Sequence, residues 1–280
     1  MGFFCRPPEF IWAVDGKQTG RGEATIGTKL DGPSVALLRQ GDLQWVLNGH
    51  TINGAGDFLE EKTEKRGTFL IQIYVARHGE TTWNEEGRIQ GRSDPGLSPK
   101  GVAQSLALRL HLKDRPLSAI YTSTRQRAIL TAGPLANLLG LPIQSQPALD
   151  EMAFGILEGK IIHTFDEQLK SEWERFKNDR FAYRIPGAEN YADVVSRLEP
   201  FVQRLLRDHE REEILIVGHK LANRLLIGLL MEYPTEKVLK IEQTNDLLYL
   251  IQRNGEAKIY HYMDGQIREG VVLVAGGGLY

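Results

Sequence analysis

The stretch Phe69-Leu-Ile-Gln-Ile-Tyr-Val-Ala-Arg-His-Gly-Glu-Thr81 decides the fold and the candidate site of this chain. Its first eight residues form an apolar run that predicts a buried β-strand, and Arg77, His78 and Gly79 follow directly. Ligands bind at the carboxyl ends of strands in open α/β sheets, so this edge is a candidate binding site. The Arg77 guanidinium suits phosphate, and the His78 imidazole is a nucleophile available near neutral pH. Gly79 would let the backbone approach a ligand closely.

A series of further motifs follows this stretch in a fixed order. The motifs are Trp83-Asn84, Arg88-Ile-Gln90-Gly91, Leu97-Ser-Pro-Lys-Gly101, Tyr121-Thr-Ser-Thr-Arg-Gln-Arg127-Ala128 with Thr131-Ala132, Leu149-Asp-Glu151-Met-Ala-Phe154-Gly155 with Glu158-Gly159, and Val217-Gly218-His219. Together with Arg77-His78-Gly79, the series resembles the histidine phosphatase superfamily, also called the phosphoglycerate-mutase-like family. The resemblance covers about residues 69 to 264, and several motifs in the right order are much more specific than one.

Composition sets limits on the class of protein. The chain has 280 residues, 41% of them hydrophobic and 25% charged, with a net charge of −2, which is typical of a globular protein. This charge argues against a nucleic-acid surface, and no apolar stretch reaches the ~20 residues of a membrane span. The single cysteine, Cys5, excludes an intrachain disulfide and fits a reducing compartment. We therefore expect a cytoplasmic protein with neither nucleic-acid nor membrane partners; homo-oligomerisation stays open.

The pattern divides the chain into three parts. Residues 1–66 are glycine-rich with short β-like runs, including a hairpin of 34–38 and 43–47, and predict a small β-rich appendage. The resemblance places a histidine phosphatase domain at 67–265 and a tail at 266–280. The appendage resembles no family, and we favour a packed structural role for it over a ligand-binding or partner-binding module.

From Phe69 onward, strand and helix patterns alternate. Ser98 and Pro99 predict the start of a helix with Val102, Leu106 and Leu110 on its buried face. Other expected elements are a strand at 118–121, helices at 127–139, 165–176 (a polar surface helix), 191–205 and 221–231, a core strand at 213–217, and a hairpin through Asn254-Gly255. The alternation predicts an α/β protein, a three-layer α/β/α sandwich with a mainly parallel sheet, and the resemblance implies the phosphoglycerate-mutase-like fold.

The resemblance assigns roles to the catalytic candidates. His78 is the candidate nucleophile, and His219 ends a second core strand in the same way. Arg77 and Arg127 are the candidate phosphate clamp, because fixed cations stabilise a transferring phosphoryl group. Glu151 is the candidate proton donor for the leaving alcohol.

Further residues are assigned to substrate or phosphate binding, or to support. Asn84, Gln90, Gly91 and Lys220 are the candidate binding residues. Lys220 stands where the family usually has glycine, and it either contacts an anionic substrate or points into solvent. Glu80 and Glu158 are alternative proton donors whose more ordinary role is to brace the Arg-His-Gly turn and the pocket wall. Arg125 is expected to be a surface charge, because the family's arginine directly precedes alanine, as Arg127 does here.

These residues imply a histidine acid-phosphatase-type phosphoric monoester hydrolase that acts on a small-molecule phosphomonoester through a phosphohistidine intermediate. We predict no required metal and no cofactor, since the histidines show no ligand spacing among themselves or with Cys5. Two alternatives remain open. One is a phosphoglycerate-type mutase, and the other is a phosphate-binding or scaffolding relative with weak catalysis.

Overall fold

The computed structural model describes residues 71–263 and 265–274, together with the backbone of five strands before residue 54. The chain divides into two compact units, Met1–Thr68 and Phe69–Tyr280. Cys5 and the predicted boundary at 66/67 lie outside the described residues. The strands of the smaller unit pair antiparallel in chain order and are β1 (Ile11–Val14), β2 (Ala24–Gly27), β3 (Ser34–Arg39), β4 (Asp42–Leu47) and β5 (His50–Asn53). The predicted hairpin is the β3–β4 pair.

The larger unit contains a seven-stranded sheet and the helices that cover it. Its strands are β6 (Ile71–Arg77), β7 (Leu117–Thr122), β8 (Ile143–Ser145), β9 (Glu213–Gly218), β10 (Leu248–Asn254), β11 (Glu256–Met263) and β12 (Gln266–Glu269). Its helices are α1 (Thr82–Glu85), α2 (Pro99–Leu112), α3 (Gln126–Leu139), α4 (Glu167–Asn178), α5 (Tyr191–Asp208), α6 (Lys220–Met231) and α7 (Thr235–Val238). Among the described residues, no helix is both long and apolar enough to cross a membrane.

The strand order explains which residues meet at the edge of the sheet. The order is β12-β11-β10-β6-β9-β7-β8. The four strands β6, β9, β7 and β8 pair in parallel, whereas β10, β11 and β12 form an antiparallel extension. The predicted α/β fold is therefore confirmed, in a mixed sheet whose parallel half carries the candidate site. The segment expected to be a C-terminal tail contributes an edge strand, β12.

Both faces of the sheet are covered, which explains why β6 is apolar from Ile73 to Ala76. Ile73 and Val75 point into a core shared with α5 and α6, and Tyr74 and Ala76 point into a second core beneath α3. A strand that is buried on both faces has no polar side to alternate with its apolar one. The two cores and the sheet form the predicted three-layer arrangement.

Helix α2 begins where the sequence predicts, but its predicted buried face is wrong. The Ser98 hydroxyl caps the helix by accepting a hydrogen bond from an amide of its first turn, and Pro99 is the first helical residue. Val102, Leu106 and Leu110, however, are 49%, 44% and 62% exposed. The helix is thus rotated about its own axis, so that the stripe of residues next to the predicted one faces the core.

Small residues cause this rotation. Gly101, Ser105 and Leu112 are the buried positions of α2. A Cβ atom at Gly101 would lie 2.0 Å from the Glu80 carbonyl oxygen, so only glycine permits this approach. Close contact of backbone against backbone outweighs the burial of the leucines on the neighbouring stripe.

Helix α4 also differs from its prediction. It starts two residues later than the polar surface helix predicted at 165–176, because the Asp166 side chain caps it by accepting from the Leu169 amide. Its Trp173 and Phe176 side chains are buried in the core with Phe154. The helix is therefore amphipathic, and its aromatic residues anchor it to the domain.

Helix α5 starts with a reciprocal cap that should measurably stabilise the domain. The Asn190 side chain accepts from the Asp193 amide at 3.0 Å, and the Asp193 carboxylate accepts from the Asn190 amide at 3.0 Å. Replacing Asn190 by alanine removes the cap, so Asn190→Ala should lower the free energy of unfolding by about 1–2 kcal/mol. Urea denaturation followed by the helical circular dichroism signal measures this change.

The matched control is Asn178→Ala, at an exposed position at the end of α4. Surface substitutions of this kind change stability by less than about 0.5 kcal/mol. Equal effects of the two substitutions would contradict a special role for the α5 cap.

The division into two units predicts that the larger one keeps the chemistry alone. Every candidate site residue lies at or after Arg77, within the unit Phe69–Tyr280. A chain shortened to begin near Lys65 should hydrolyse p-nitrophenyl phosphate with a kcat within about threefold of the full chain. A shortened chain that is folded by circular dichroism but inactive would show that the first unit contributes to the site.

Candidate active site

Two neighbouring parallel strands bring the two candidate histidines together. His78 follows β6 and His219 follows β9, and the strands pair with Arg77 opposite Gly218. The His78 amide continues the ladder by donating to the Gly218 carbonyl at 2.9 Å. The two imidazole rings consequently lie 5.1 Å apart between centroids, at an interplanar angle of 55°. The expected convergence of these residues is thus observed.

The surroundings of His78 fix its tautomer and its charge. Its Nδ1 lies 2.8 Å from the Gly79 carbonyl oxygen, which can only accept, so Nδ1 carries the proton and Nε2 holds a free lone pair. Burial lowers the pKa of His78 well below its ordinary value, and the nearby Arg127 and Arg77 charges act in the same direction. The imidazole is therefore neutral at physiological pH, with Nε2 available as a nucleophile.

The backbone of the Arg-His-Gly turn is held from two sides. The Thr131 hydroxyl accepts from the Gly79 amide at 2.8 Å, and the Asn245 side-chain amide donates to the His78 carbonyl at 2.6 Å. A Cβ atom at Gly79 would lie 2.5 Å from the Gly101 carbonyl oxygen. The glycine is thus required for packing against α2, which is a different reason from the approach of a ligand that the sequence suggested.

His219 is completely buried and bonds to a residue from the next strand. Its Nε2 lies 2.7 Å from the hydroxyl of Ser123, which follows β7. Burial is the largest cause that lowers the pKa of His219 well below its ordinary value, followed by the charge of Arg127. His219 is therefore neutral as well.

The two candidate clamp arginines are held by backbone carbonyls. Arg77 Nη1 donates to the Gln243 carbonyl at 3.3 Å. Arg127 is completely buried in the first turn of α3, where Nη2 donates to the Gly91 carbonyl at 2.8 Å and Nη1 to the Ser93 carbonyl. Backbone carbonyls thus orient both guanidinium groups, and the partly exposed Asp94 also pairs with Arg127, at 3.5 Å from its Nη1.

Glu158 braces the loop that faces Arg127. Its carboxylate accepts from the amides of Arg92, Ser93 and Phe154 at 2.9–3.1 Å. Gly91 has φ +51°, and a Cβ atom there would lie 2.1 Å from a Glu158 carboxylate oxygen. Glu158 therefore has the bracing role that the sequence suggested, and Gly91 is required by its backbone conformation and by this close contact.

Glu151 is oriented by main-chain donors. It is 6% exposed, and its carboxylate accepts from the Met152 amide at 2.9 Å, the Leu221 amide at 3.3 Å and the Ala222 amide at 3.2 Å. The last two amides belong to the first turn of α6, where the positive end of the helix dipole favours an acidic group. The candidate proton donor is thus fixed relative to His219, the N-cap of the same helix.

Lys220 forms a half-buried ion pair at the start of α6. Its Nζ lies 2.9 Å from Glu242 Oε1. Burial is the largest influence on the pKa of Lys220 and lowers it, and the charges of Arg77 and Arg224 add to this effect against the opposing effect of Glu242. The Lys220 side chain is only 11% exposed and lines the same pocket as Arg77, so it does not point into solvent.

One pocket collects most of the predicted residues. It is lined by Arg77, His78, Gln90, Gly91, Arg127, Glu151, Lys220 and Leu221. His219 lies directly behind this lining, beside His78. The Gln90 side-chain oxygen is buried and has no hydrogen-bond partner among the described residues.

Asn84 lies elsewhere. Its side-chain oxygen accepts from the Thr81 amide and hydroxyl, both at 3.1 Å, and so caps the short helix α1. It is not among the described residues that line the pocket. The phosphate contact assigned to Asn84 stays a prediction.

Two supporting charges can be assigned from their contacts. Glu80 accepts from the Ser98 hydroxyl at 3.0 Å and from Lys100 Nζ at 2.9 Å, so it braces the turn as expected. The expectation that Arg125 is a surface charge is wrong. Its side chain is only 27% exposed, because it donates to the Arg92 carbonyl at 3.0 Å and pairs with Asp150 at 3.4 Å. Arg125 thus connects two loops of the site.

Several residues that hold these groups in place were not predicted from the sequence. Ser123 could have been found, since it follows a predicted strand just as the two histidines do. Glu242, Gln243 and Asn245 hold Lys220, the Arg77 side chain and the His78 carbonyl respectively. They lie in an irregular segment between α7 and β10, and no local pattern distinguishes them from surface polar residues.

No group of three or more histidine, cysteine, aspartate or glutamate side chains suited to holding a metal ion occurs among the residues that the structure describes. The charges that face the pocket are those of the protein itself, chiefly Arg77, Arg127 and Lys220.

Comparison with known proteins agrees with this geometry. The chain is 33% identical over 197 residues to a 6-phosphofructo-2-kinase/fructose-2,6-bisphosphatase of Arabidopsis thaliana, in an alignment covering 69% of this chain and 26% of that protein. It is 32% identical over 168 residues to 6-phosphofructo-2-kinase/fructose-2,6-bisphosphatase 4 of Homo sapiens, covering 59% of this chain and 34% of that one. The chain thus spans about a quarter to a third of the length of these relatives.

A solved structure is similar over almost its whole length. The alpha-ribazole phosphatase from Shigella flexneri superposes with a TM-score of 0.61 at 28% identity, and the match covers 66% of this chain and 93% of that one. Residues 73–264, more than half of the chain, match the family described as Histidine phosphatase superfamily (branch 1). This span contains the parallel strands, apart from the first two residues of β6, and every candidate site residue, and the chain belongs to the histidine phosphatase superfamily.

Proposed function

We propose that this chain is a metal-independent phosphomonoesterase that works through a phosphohistidine at His78. The observation that carries the proposal is the hydrogen bond from His78 Nδ1 to the Gly79 carbonyl. It leaves Nε2 as a neutral nucleophile in a pocket that is also lined by Arg77 and Arg127. A nucleophile and fixed cations beside it are what phosphoryl transfer requires.

The reaction has two displacements at phosphorus. In the first, His78 Nε2 forms a bond to phosphorus as the ester P–O bond breaks, and Glu151 gives a proton to the departing alkoxide oxygen. In the second, water attacks phosphorus, Glu151 takes the proton of that water, and the N–P bond breaks to release inorganic phosphate. Arg77, Arg127 and His219 stabilise the equatorial oxygens in both steps.

The relatives support hydrolysis of a phosphate ester. Their names include fructose-2,6-bisphosphatase and alpha-ribazole phosphatase. The name of the curated relatives also includes a kinase activity, but this chain spans only 26% and 34% of the two compared. Because the matched family is a phosphatase superfamily, we propose only the phosphatase reaction for this chain.

Lys220 gives a reason to expect a second anionic group on the substrate. In the proposed reaction the phosphoryl group lies beside His78 in this pocket, so the remainder of the substrate extends toward the entrance. Lys220 lines that pocket, and its partner Glu242 holds the ammonium in place. We assign Lys220 to binding a second phosphate or a carboxylate on a small phosphorylated metabolite.

We also retain the cytoplasm as the proposed location, on the basis of the single cysteine.

The nucleophile is tested by His78→Ala. The variant should fold normally and release inorganic phosphate from p-nitrophenyl phosphate about a thousandfold more slowly or worse, because the covalent route is gone. Brief incubation of the wild-type protein with a substrate that carries a radioactive phosphoryl group should label the protein. The label should be acid-labile and base-stable, and His78→Ala should not acquire it.

Two controls separate the alternatives. Activity should survive EDTA, because protein cations hold the phosphate, and its loss with recovery on adding Mg²⁺ would contradict metal independence. Transfer of the label to a second substrate faster than phosphate release would indicate the mutase. A rate in His78→Ala within tenfold of the wild-type rate would exclude the phosphohistidine route.

The second anion is tested by Lys220→Met, which keeps the length of the side chain and removes its charge. The KM for fructose 2,6-bisphosphate or 3-phosphoglycerate should rise about tenfold, whereas the KM for p-nitrophenyl phosphate, which lacks a second anionic group, should change less than about threefold. Steady-state kinetics on both substrate types measures the difference.

Because Lys220→Met leaves Glu242 unpaired, the double variant with Glu242→Gln is measured beside it and should show the same selectivity. Lys170→Met is the matched control, since Lys170 also forms an ion pair, with Glu167, but lies on the exposed side of α4. Equal effects on both substrate types would show that Lys220 does not recognise a second anion.

A further inference from the structure

Ser123 stands at the end of the third strand of the site. It follows β7, which is the neighbour of β9 on the side away from β6. Its amide donates to the Val217 carbonyl at 3.2 Å, and the residue is completely buried. Its hydroxyl is therefore fixed beside His219 by the same sheet that places the two histidines.

The contacts of this hydroxyl determine where its hydrogen points. Ser123 Oγ accepts a hydrogen bond from the Arg125 amide at 3.2 Å, and it lies 2.7 Å from His219 Nε2. A backbone amide only donates, so that contact uses a lone pair and not the O–H. His219 Nε2 is then the acceptor that the described surroundings offer to the Ser123 O–H.

This direction of donation determines the tautomer of His219. A neutral imidazole carries one proton, and a nitrogen that accepts a hydrogen bond cannot hold it. The proton of His219 must therefore be on Nδ1. The opposite tautomer would leave the buried Ser123 O–H without an acceptor among the described residues.

The Nδ1 atom of His219 has its own unusual environment. It is buried and has no hydrogen-bond partner among the residues that the structure describes. A buried donor without a partner is rare in proteins and calls for an explanation. The centroid of the His219 ring lies 5.1 Å from that of the His78 ring. An oxygen of a phosphoryl group on His78 is therefore the candidate hydrogen-bond partner of His219 Nδ1.

We propose that Ser123 is a positioning residue that holds the proton of His219 on Nδ1, so that this N–H donates to an oxygen of the transferring phosphoryl group. Ser123 does not touch the substrate in this arrangement. It acts through His219 by excluding the tautomer whose bare Nδ1 would repel that oxygen. The inference rests on the proposed function for its kinetic test, but the tautomer is measurable without turnover.

The tautomer is measured by ¹H–¹⁵N spectroscopy of protein labelled at histidine. The His219 signals are identified by their loss in His219→Gln. In the wild-type protein the proton should be on Nδ1, and adding inorganic phosphate or vanadate should shift that Nδ1–H signal because the ion becomes its acceptor. A proton on Nε2 in the wild-type protein, or no shift at saturating phosphate, would overturn the proposal.

Variants of Ser123 test the consequence for catalysis. Ser123→Ala should populate both tautomers of His219 and lower kcat about 10- to 100-fold, with KM changed less than about threefold. Ser123→Thr keeps the hydroxyl and should restore the Nδ1–H tautomer and most of kcat. The matched control Ser105→Ala removes another buried serine hydroxyl, one bonded within α2, and should leave kcat and the tautomer unchanged.

The outcomes distinguish this proposal from the proposed function. An unchanged tautomer or a kcat within twofold of wild type in Ser123→Ala would refute the positioning role even if the protein is a phosphatase. An equal loss in Ser123→Ala, Ser123→Thr and Ser105→Ala would indicate general damage to packing and also refute it. A wild-type protein with the predicted tautomer and phosphate response, but no hydrolysis of any monoester, would refute the proposed function alone.

Discussion

The parallel pairing of β6 with β9 is the interaction on which the site depends. Neighbouring strands lie about 4.8 Å apart, and the two imidazole rings that follow these strands lie 5.1 Å apart between centroids. A slip of one residue between the strands would exchange the faces of every following side chain and separate His78 from His219. Ile73 and Val75 pack into one core and Tyr74 and Ala76 into the other, so the contacts that stabilise the domain also hold the strand that His78 follows.

The same burial explains the electrostatics. Taking two histidines out of water beside Arg127 and Arg77 disfavours the imidazolium, so the pocket has neutral nitrogen atoms and positively charged guanidinium groups. A buried arginine costs free energy unless it has partners, and Arg127 is held by the carbonyls of Gly91 and Ser93 and by Asp94, whose carboxylate lies 3.5 Å from its Nη1. Under the proposed function, the phosphoryl group is the anion that faces these guanidinium groups.

Much of this arrangement could be predicted from the sequence because strand ends are local features. An apolar run followed by His78 or His219 shows both the element and the residue at its end. The buried face of α2 could not be predicted in this way, since it depends on contact between Gly101 and the backbone of Glu80, and helical periodicity carries no information about which neighbour approaches. The contacts of Gln243 with Arg77 and of Asn245 with His78 could not be predicted either. The sequence does not distinguish a loop residue that faces solvent from one that contacts the candidate site.

The start of α6 shows how one position can vary while the chemistry beside it is kept. Glu151 is held by the main-chain amides of Leu221 and Ala222, and these amides are present whatever side chains the helix carries. A change at position 220 therefore alters the charge at the pocket entrance without releasing the Glu151 carboxylate. The resemblance to the family leads one to expect glycine at the position of Lys220. The Lys220 ammonium is held by Glu242, which is not one of the residues that orient Glu151. The division between main-chain contacts for the candidate acid and side-chain contacts for the candidate specificity residue allows the substrate to change within one reaction mechanism.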